Sequence, residues 1–335
     1  MVWFGFIFCL VVILFAGFKL TRYGDAIAEK TGLGCVWIGL VLIALVTSLP
    51  ELVTGISAAT LVDSPDLALG TIFGSCTFNL AILAVLDILF SNGPVLNRVS
   101  RGHTISAIIG AILVLLAAAS IFFGEKLSGI SMGWLGVSSL LLLGFYLLGV
   151  RQIYNYECKR GRKENQQPSS IKYNDISNRQ VYIRFTMAAM AIIGAGIWLA
   201  YIGEEIATIY NLNNSFVGTL FLALTTSMPE LAVGIAAIRL GAIDIAVADL
   251  MGANMINIAK IFFIDIFYTK GPILSLVSRT HLITAMITIG MTAVVVLGLR
   301  FHYKRKIFKI AGWYSYFLIG LWILGAYLVY SSASI

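Results

Sequence analysis

Charge is what this sequence has least of. Asp, Glu, Lys and Arg make up 12% of its 335 residues, against 59% apolar, and soluble domains carry roughly twice that charged fraction. With a mean hydropathy of +0.93, a soluble globular fold is excluded. Cysteine is also scarce: Cys9, Cys35, Cys76 and Cys158 show no paired spacing, which argues against a disulfide framework or a zinc site. The sequence has no HExxH pair, no phosphate loop and no nucleophile set beside a base, so neither enzymatic chemistry nor a cofactor is expected.

What is present in quantity is apolar sequence, in runs long enough to cross the ~30 Å hydrocarbon core of a bilayer, which takes about 20 helical residues. Ten spans are predicted, at 2–20, 36–60, 66–90, 103–123, 129–150, 182–202, 215–238, 243–268, 281–300 and 311–331. The fold class is therefore all-α and polytopic, with the lipid bilayer as its partner. The first run gains Lys19 and Arg22 after its apolar stretch rather than before it, the reverse of a secretory signal, and is expected to be a retained helix.

The net charge of +7 raises the question of a polyanionic partner. With the amino terminus placed outside, 19 of the 23 Lys and Arg fall on cytoplasmic segments, as the positive-inside rule requires. The basic charge is thus topological, and no nucleic acid and no obligatory protein partner are expected. Both termini should face outward from the cell membrane, and the polar segment 151–181 reads as a cytoplasmic linker.

The chain repeats itself at a nearly constant offset. TSLPELVTGISAA (47–59) matches TSMPELAVGIAA (226–237), and GPVLNRVSRGH (93–103) matches GPILSLVSRTH (271–281). Asn79 pairs with Asn257 and Asp87 with Asp265 in the same register. Residues 1–150 and 182–335 are therefore homologous units of five spans each. An odd number of spans inverts the second unit in the membrane, the architecture of many secondary transporters, whose ion sites lie near the midplane where the repeats meet.

Each unit carries a polar centre. Thr47, Ser48, Pro50 and Glu51 interrupt the second span, and Thr226, Ser227, Pro229 and Glu230 the seventh. The prolines deprive the carbonyls of Val46 and Thr225 of a helical partner, so each helix should break there. Carbonyls, hydroxyls and a carboxylate within one turn are the hard oxygen donors that Na+ or Ca2+ takes on losing its water. A plainer reading makes Ser48 with Glu51, and Ser227 with Glu230, capping boxes that restart the helix. A charge deep in an apolar span costs at least ~3 kcal/mol, however, and is functional by default. Thr71, Ser75 and Asn79 share one face of the third span, and Asp249, Ala253 and Asn257 the matching face of the eighth; these stripes either face the carboxylates or join helices together.

These motifs resemble the alpha-repeats of the cation/calcium antiporter superfamily, sodium/calcium exchanger branch, which carry G-T-S-x-P-E/D followed by G-S-N-x-x-N/D. The resemblance covers both halves, with motif segments 44–79 and 223–257. It implies a ten-helix exchanger swapping Na+ for Ca2+ by alternating access. Glu51 and Glu230 would be the central Ca2+ ligands, aided by the hydroxyls of Thr47, Ser48, Thr226 and Ser227. Ser75, Asn79 and Asn257 would complete the Na+ sites, and the carbonyls of Ala44 and Ala223 would be further ligands.

The sequence departs from that pattern. Val46 and Thr225 stand in place of the motif glycine, and Ala253, in place of a serine, offers no side-chain oxygen. Asp249 and Thr71 occupy positions where the family often has asparagine, so Asp249 brings a third carboxylate. Lys260 follows three residues after Asn257 on the same face; it is a tethered cation, a snorkelling side chain, or half of a structural pair with an acidic neighbour. Three carboxylates and one ammonium leave a formal site charge of −2, suited to one divalent ion. H+/Ca2+ exchange and a passive cation channel lined by these acids are the competing functions.

Overall fold

The computed structural model describes residues 1–30, 46–100, 102–127, 131–161, 177–301, 306–307 and 310–332. The chain is a bundle of long helices: α1 (Val2–Lys30), α2 (Leu49–Thr60), α3 (Pro65–Leu89), α4 (His103–Phe122), α5 (Val137–Gly161), α6 (Asn178–Tyr210), α7 (Asn214–Thr226), α8 (Met228–Arg239), α9 (Ile243–Phe267), α10 (His281–Arg300) and α11 (Trp313–Ser331). Among the described residues eight of these are long and apolar enough to cross a membrane, and α7 with α8, bent by 42° at a short break, makes a ninth if the pair is one broken span rather than a re-entrant loop. The second predicted span lies partly outside the described residues. Its visible part is the final turn at Val46 and Thr47, followed by α2.

Most predicted boundaries lie within a few residues of the observed ones. The fifth differs most: residues 131–136 form a two-stranded hairpin, Ser131–Met132 with Leu135–Gly136, and α5 starts only at Val137. Gly133 makes the tight turn with φ +68°, and Trp134 donates its indole N–H to the Ile266 carbonyl at 3.0 Å. At the other end α5 runs to Gly161, so helix continues into the polar segment read as linker.

The repeat is visible in the helices themselves. α3 and α9 are both 25 residues long, and α4 and α10 are both 20 residues long. Within each pair the two helices begin at equivalent positions of the duplicated sequence. Left-handed backbone recurs at equivalent turns, at Asp63 and Gly241. α3 and α9 are the centre of the bundle, 78% and 72% buried over their most apolar stretch, whereas the same measure is 17% for α5. Phe4, Phe15 and Leu324 on the outer helices are exposed apolar side chains of the kind a bilayer covers.

Two aspartates hold the ends of the central helices. Asp87, at the end of α3, accepts from the Val95 N–H (2.8 Å), the Tyr314 hydroxyl (2.5 Å), the Gly312 N–H (2.6 Å) and the Ser315 hydroxyl (2.7 Å). It thereby fastens α11 of the second repeat to α3 of the first. Its counterpart Asp265 accepts from the Ile273 N–H (2.7 Å), the Gly136 N–H (2.9 Å) and the Ser139 hydroxyl, and fastens α5 to α9. Lys306 adds bonds to the carbonyls of Asp87 and Phe90, and burial pulls its ammonium below the usual lysine range. Both aspartates thus stand apart from the polar centre. The two repeat-equivalent histidines also join elements: His103 meets Asp244 at 2.7 Å and His281 meets Asp66 at 3.0 Å, each pair crossing between repeats.

Close approach of α3 to α7 depends on Gly218, which sits in a π-helical turn, Gly218–Leu222. A Cβ there would come within 2.5 Å of the Leu67 carbonyl oxygen and 3.0 Å of the Gly70 Cα. Both neighbours are backbone and cannot rotate away. Gly218→Ala is therefore expected to destabilise the folded protein by about 1–3 kcal/mol, read as a lower thermal unfolding midpoint in detergent; an unchanged midpoint would contradict this packing.

Candidate cation site

Both motif helices break at the same place. Ser48 (φ −79°, ψ 3°) and Ser227 (φ −91°, ψ 10°) leave helical geometry, and the helices restart with Pro50 and Pro229 at their second positions. A proline there lacks only a hydrogen that a helix start leaves unused. The carboxylates of Glu51 and Glu230 follow one residue later, at the amino-terminal ends of α2 and α8, where the helix dipole favours negative charge. Neither serine makes a side-chain cap, so the capping-box reading fails. Ser227 instead donates to Glu51 Oε1 at 3.2 Å, from one repeat to the other.

The predicted polar residues that the structure describes are buried. Thr47, Ser48, Glu51, Ser75, Asn79, Thr226, Ser227, Glu230, Asp249 and Asn257 are each at most 2% exposed. Several of their polar atoms lack a hydrogen-bond partner: Ser48 Oγ, Glu51 Oε2, Ser75 Oγ, Asn79 Oδ1, both oxygens of Glu230, both of Asp249, and Asn257 Nδ2. Native interiors leave few such atoms, and each one calls for an explanation. Here they gather on the broken helices and on the facing stripes of α3 and α9, and all but the amide nitrogen are oxygen donors. Glu230 lies within electrostatic reach of Glu51, Asp249 and Lys260.

Other predicted groups are engaged by the protein. The Thr226 hydroxyl donates to the Leu222 carbonyl at 3.0 Å and to that of Ala223 at 3.3 Å. The Ala223 carbonyl also accepts from the Ser227 N–H at 3.0 Å. Ala44 lies outside the described residues. Among the described residues no three acidic, histidine or cysteine side chains converge tightly enough to clasp a metal ion by themselves. An ion here would rely on hydroxyl and amide oxygens as well.

Lys260 turns into the site and does not snorkel. Its Nζ donates to Asn257 Oδ1 at 2.6 Å and stands 3.6 Å from Glu51 Oε2, with the residue 3% exposed. Asn254 adds to the predicted set. It accepts from Asn79 Nδ2 at 3.1 Å and donates to the Cys76 carbonyl at 3.2 Å, linking α3 to α9. Cys76 and Asn254 are themselves repeat equivalents. The available signal is the G-A-N triplet 252–254, whose asparagine falls on the motif's own.

A family model described as sodium/calcium exchanger protein matches residues 1–151 and 181–332, nearly the whole chain. The chain belongs to this family. The inner membrane protein YrbG of Escherichia coli (strain K12) is 25% identical over 288 residues, 84% of each chain. The putative antiporter CaxA of Alkalimonas amylolytica is 21% identical over 309 residues, 90% of this chain and 91% of that one. Among solved structures, the H+/Ca2+ exchanger CAX superposes with a TM-score of 0.69 at 14% identity, over 99% of this chain and 85% of its own. The sodium-calcium exchanger NCX_Mj does so with a TM-score of 0.61 at 18% identity, over 97% and 98%. At such identities the likeness is one of fold, and it extends over both repeats of this exchanger-family chain.

Proposed function

We propose that the chain is a secondary active antiporter that moves Ca2+ across the cell membrane in exchange for Na+ by alternating access, without covalent chemistry. The observation that carries this reading is the set of buried oxygens without a hydrogen-bond partner on Ser48, Ser75, Asn79, Glu230 and Asp249, brought together with the Glu51 carboxylate from two inverted repeats. Oxygen donors of this kind suit hard cations, and inverted repeats meeting at a midplane site suit alternating access. Membership of the sodium/calcium exchanger family supports the choice of ions. In this reading Glu51, Glu230 and Asp249 supply charge, while the hydroxyls and amides replace water around the ion. The positive-inside count supports both termini outside and the polar segment 151–181 in the cytoplasm.

One observation favours a second reading, H+/Ca2+ exchange. Ala253 is fully buried and presents only a methyl group where Ser75, its repeat equivalent, presents a hydroxyl. A Na+ subsite thereby loses an oxygen. Measuring Ca2+ uptake into proteoliposomes under an imposed Na+ gradient, and separately under a pH gradient, distinguishes the two. Uptake driven by Na+ is expected, and uptake driven only by the pH gradient would overturn the Na+ assignment. Ala253→Ser should strengthen Na+ coupling, seen as a lower Na+ concentration for half-maximal Ca2+ uptake; an unchanged Na+ dependence would count against a Na+ subsite at that position.

A further inference from the structure

Lys260 is unexplained by a site built only to bind cations, and its role is inferred here on the antiport reading above. The lysine occurs in one repeat only: the equivalent position in the first repeat is Ile82. Asp249 is asymmetric too, since its equivalent is Thr71. Relative to a symmetric site with two glutamates, α9 has therefore added one acid and one base, whose formal charges cancel. The base faces two oxygens of the candidate site. Its ammonium donates to the Asn257 amide oxygen at 2.6 Å and stands 3.6 Å from the Glu51 carboxylate, two oxygens that come from different repeats. Lys260 lies in the last two turns of α9, which ends at Phe267, yet its side chain turns inward, and the residue is 3% exposed.

We propose that the Lys260 ammonium is a built-in, non-exchanging cation that fills the subsite between Glu51 and Asn257 and thereby sets the charge carried per cycle. Three carboxylates less one fixed ammonium leave two negative charges for mobile ions. In a desolvated site the occupancies of lowest cost are those that cancel charge. These are one Ca2+ or two monovalent cations, so exchange is electroneutral. Removing the lysine leaves a third negative charge and calls for a third monovalent cation.

The test uses the purified full chain in liposomes. The equilibrium ratio of accumulated radioactive Ca2+ is measured under whichever gradient, Na+ or pH, drives uptake, with the membrane potential clamped by K+ and valinomycin. Wild type is expected to show a ratio that does not move with voltage. Lys260→Met is expected to show a ratio that changes about fiftyfold for a swing of about 100 mV, the effect of one net charge per cycle, and a Hill coefficient for the driving cation higher by about one. Lys260→Arg, which keeps the charge, should show a ratio that does not move with voltage, whatever its rate of uptake. Should Lys260→Met fail to assemble, Lys260→Ile supplies the residue found at the equivalent position 82, and the wild-type arm decides alone if neither variant folds. A wild-type ratio that follows voltage, or an active Lys260→Met protein as indifferent to voltage as wild type, overturns the inference while leaving antiport standing. Absence of Ca2+ accumulation by wild type under both gradients overturns the antiport reading itself.

Discussion

Glu230→Gln is expected to abolish Ca2+ uptake while leaving the protein folded. Both carboxylate oxygens of Glu230 are buried, and neither has a hydrogen-bond partner in the protein. The amide has the same shape and removes no internal bond, so the folded state loses little. The ion loses a full negative charge in a desolvated site, worth about 3 kcal/mol or more by analogy with buried charged contacts at interfaces, a factor of at least about 100 in affinity. Uptake at Ca2+ concentrations near the wild-type half-saturation should fall to background, with the unfolding midpoint in detergent unchanged. Wild-type uptake by this variant would remove Glu230 from the transport site. A large drop in unfolding temperature would instead make it a structural acid. Glu51 should behave differently, because its carboxylate accepts from Ser227 and faces Lys260, so neutralising it also leaves a buried ammonium unpaired.

The second large effect is structural. Asp87→Ala removes a buried carboxylate that accepts four bonds, two from backbone N–H groups and two from hydroxyls. The donors at Val95, Gly312, Tyr314 and Ser315 then lose this acceptor inside the protein. Breaking a buried charged network by removing one member costs about 3–5 kcal/mol, and the unfolding midpoint should fall accordingly. Because Asp87 fastens α11 to α3 and lies apart from the cation site, the fraction that remains folded should keep wild-type apparent Ca2+ affinity. A change of affinity without a change of stability would place Asp87 in the transport path. Asp265→Ala should act in the same direction through three lost bonds.

Much of the architecture is legible in the residues alone, because the membrane imposes long apolar runs and the duplication states each element twice. The match of TSLPELVTGISAA to TSMPELAVGIAA locates both breaks, and the structure has them at the equivalent serines, Ser48 and Ser227. The placement of Glu51 and Glu230 at helix starts follows from proline chemistry. Side-chain direction is what the residues leave open. Helical spacing puts Lys260 on the face of Asn257, but spacing does not say whether a long flexible chain bends toward lipid headgroups or toward a carboxylate. Its partner Glu51 belongs to the other repeat and comes within reach only once α2 and α9 pack together. Asn254 is hidden for a related reason: its partner across the repeat interface is Asn79, while the equivalent residue in the first repeat is a cysteine and gives no hint of a polar link. The capping box at Ser227 fails because its hydroxyl reaches across the interface to Glu51 of the other repeat, a contact that no local spacing encodes.

Alternating access requires that one bound cation be exchanged for another across a single site that opens to either side in turn. The most direct measurement is efflux of radioactive Ca2+ from liposomes loaded with it and holding the purified chain, diluted into medium free of Ca2+ and Na+, or into the same medium supplemented with unlabelled Ca2+ or with Na+. Efflux is expected to be slow in the bare medium and strongly accelerated by either added ion, with Glu230→Gln slow in all three. Equally fast efflux into bare medium, unchanged when the external pH is raised so that protons cannot serve as the counter-ion, would mean a passive pore lined by the same acids, and would contradict antiport.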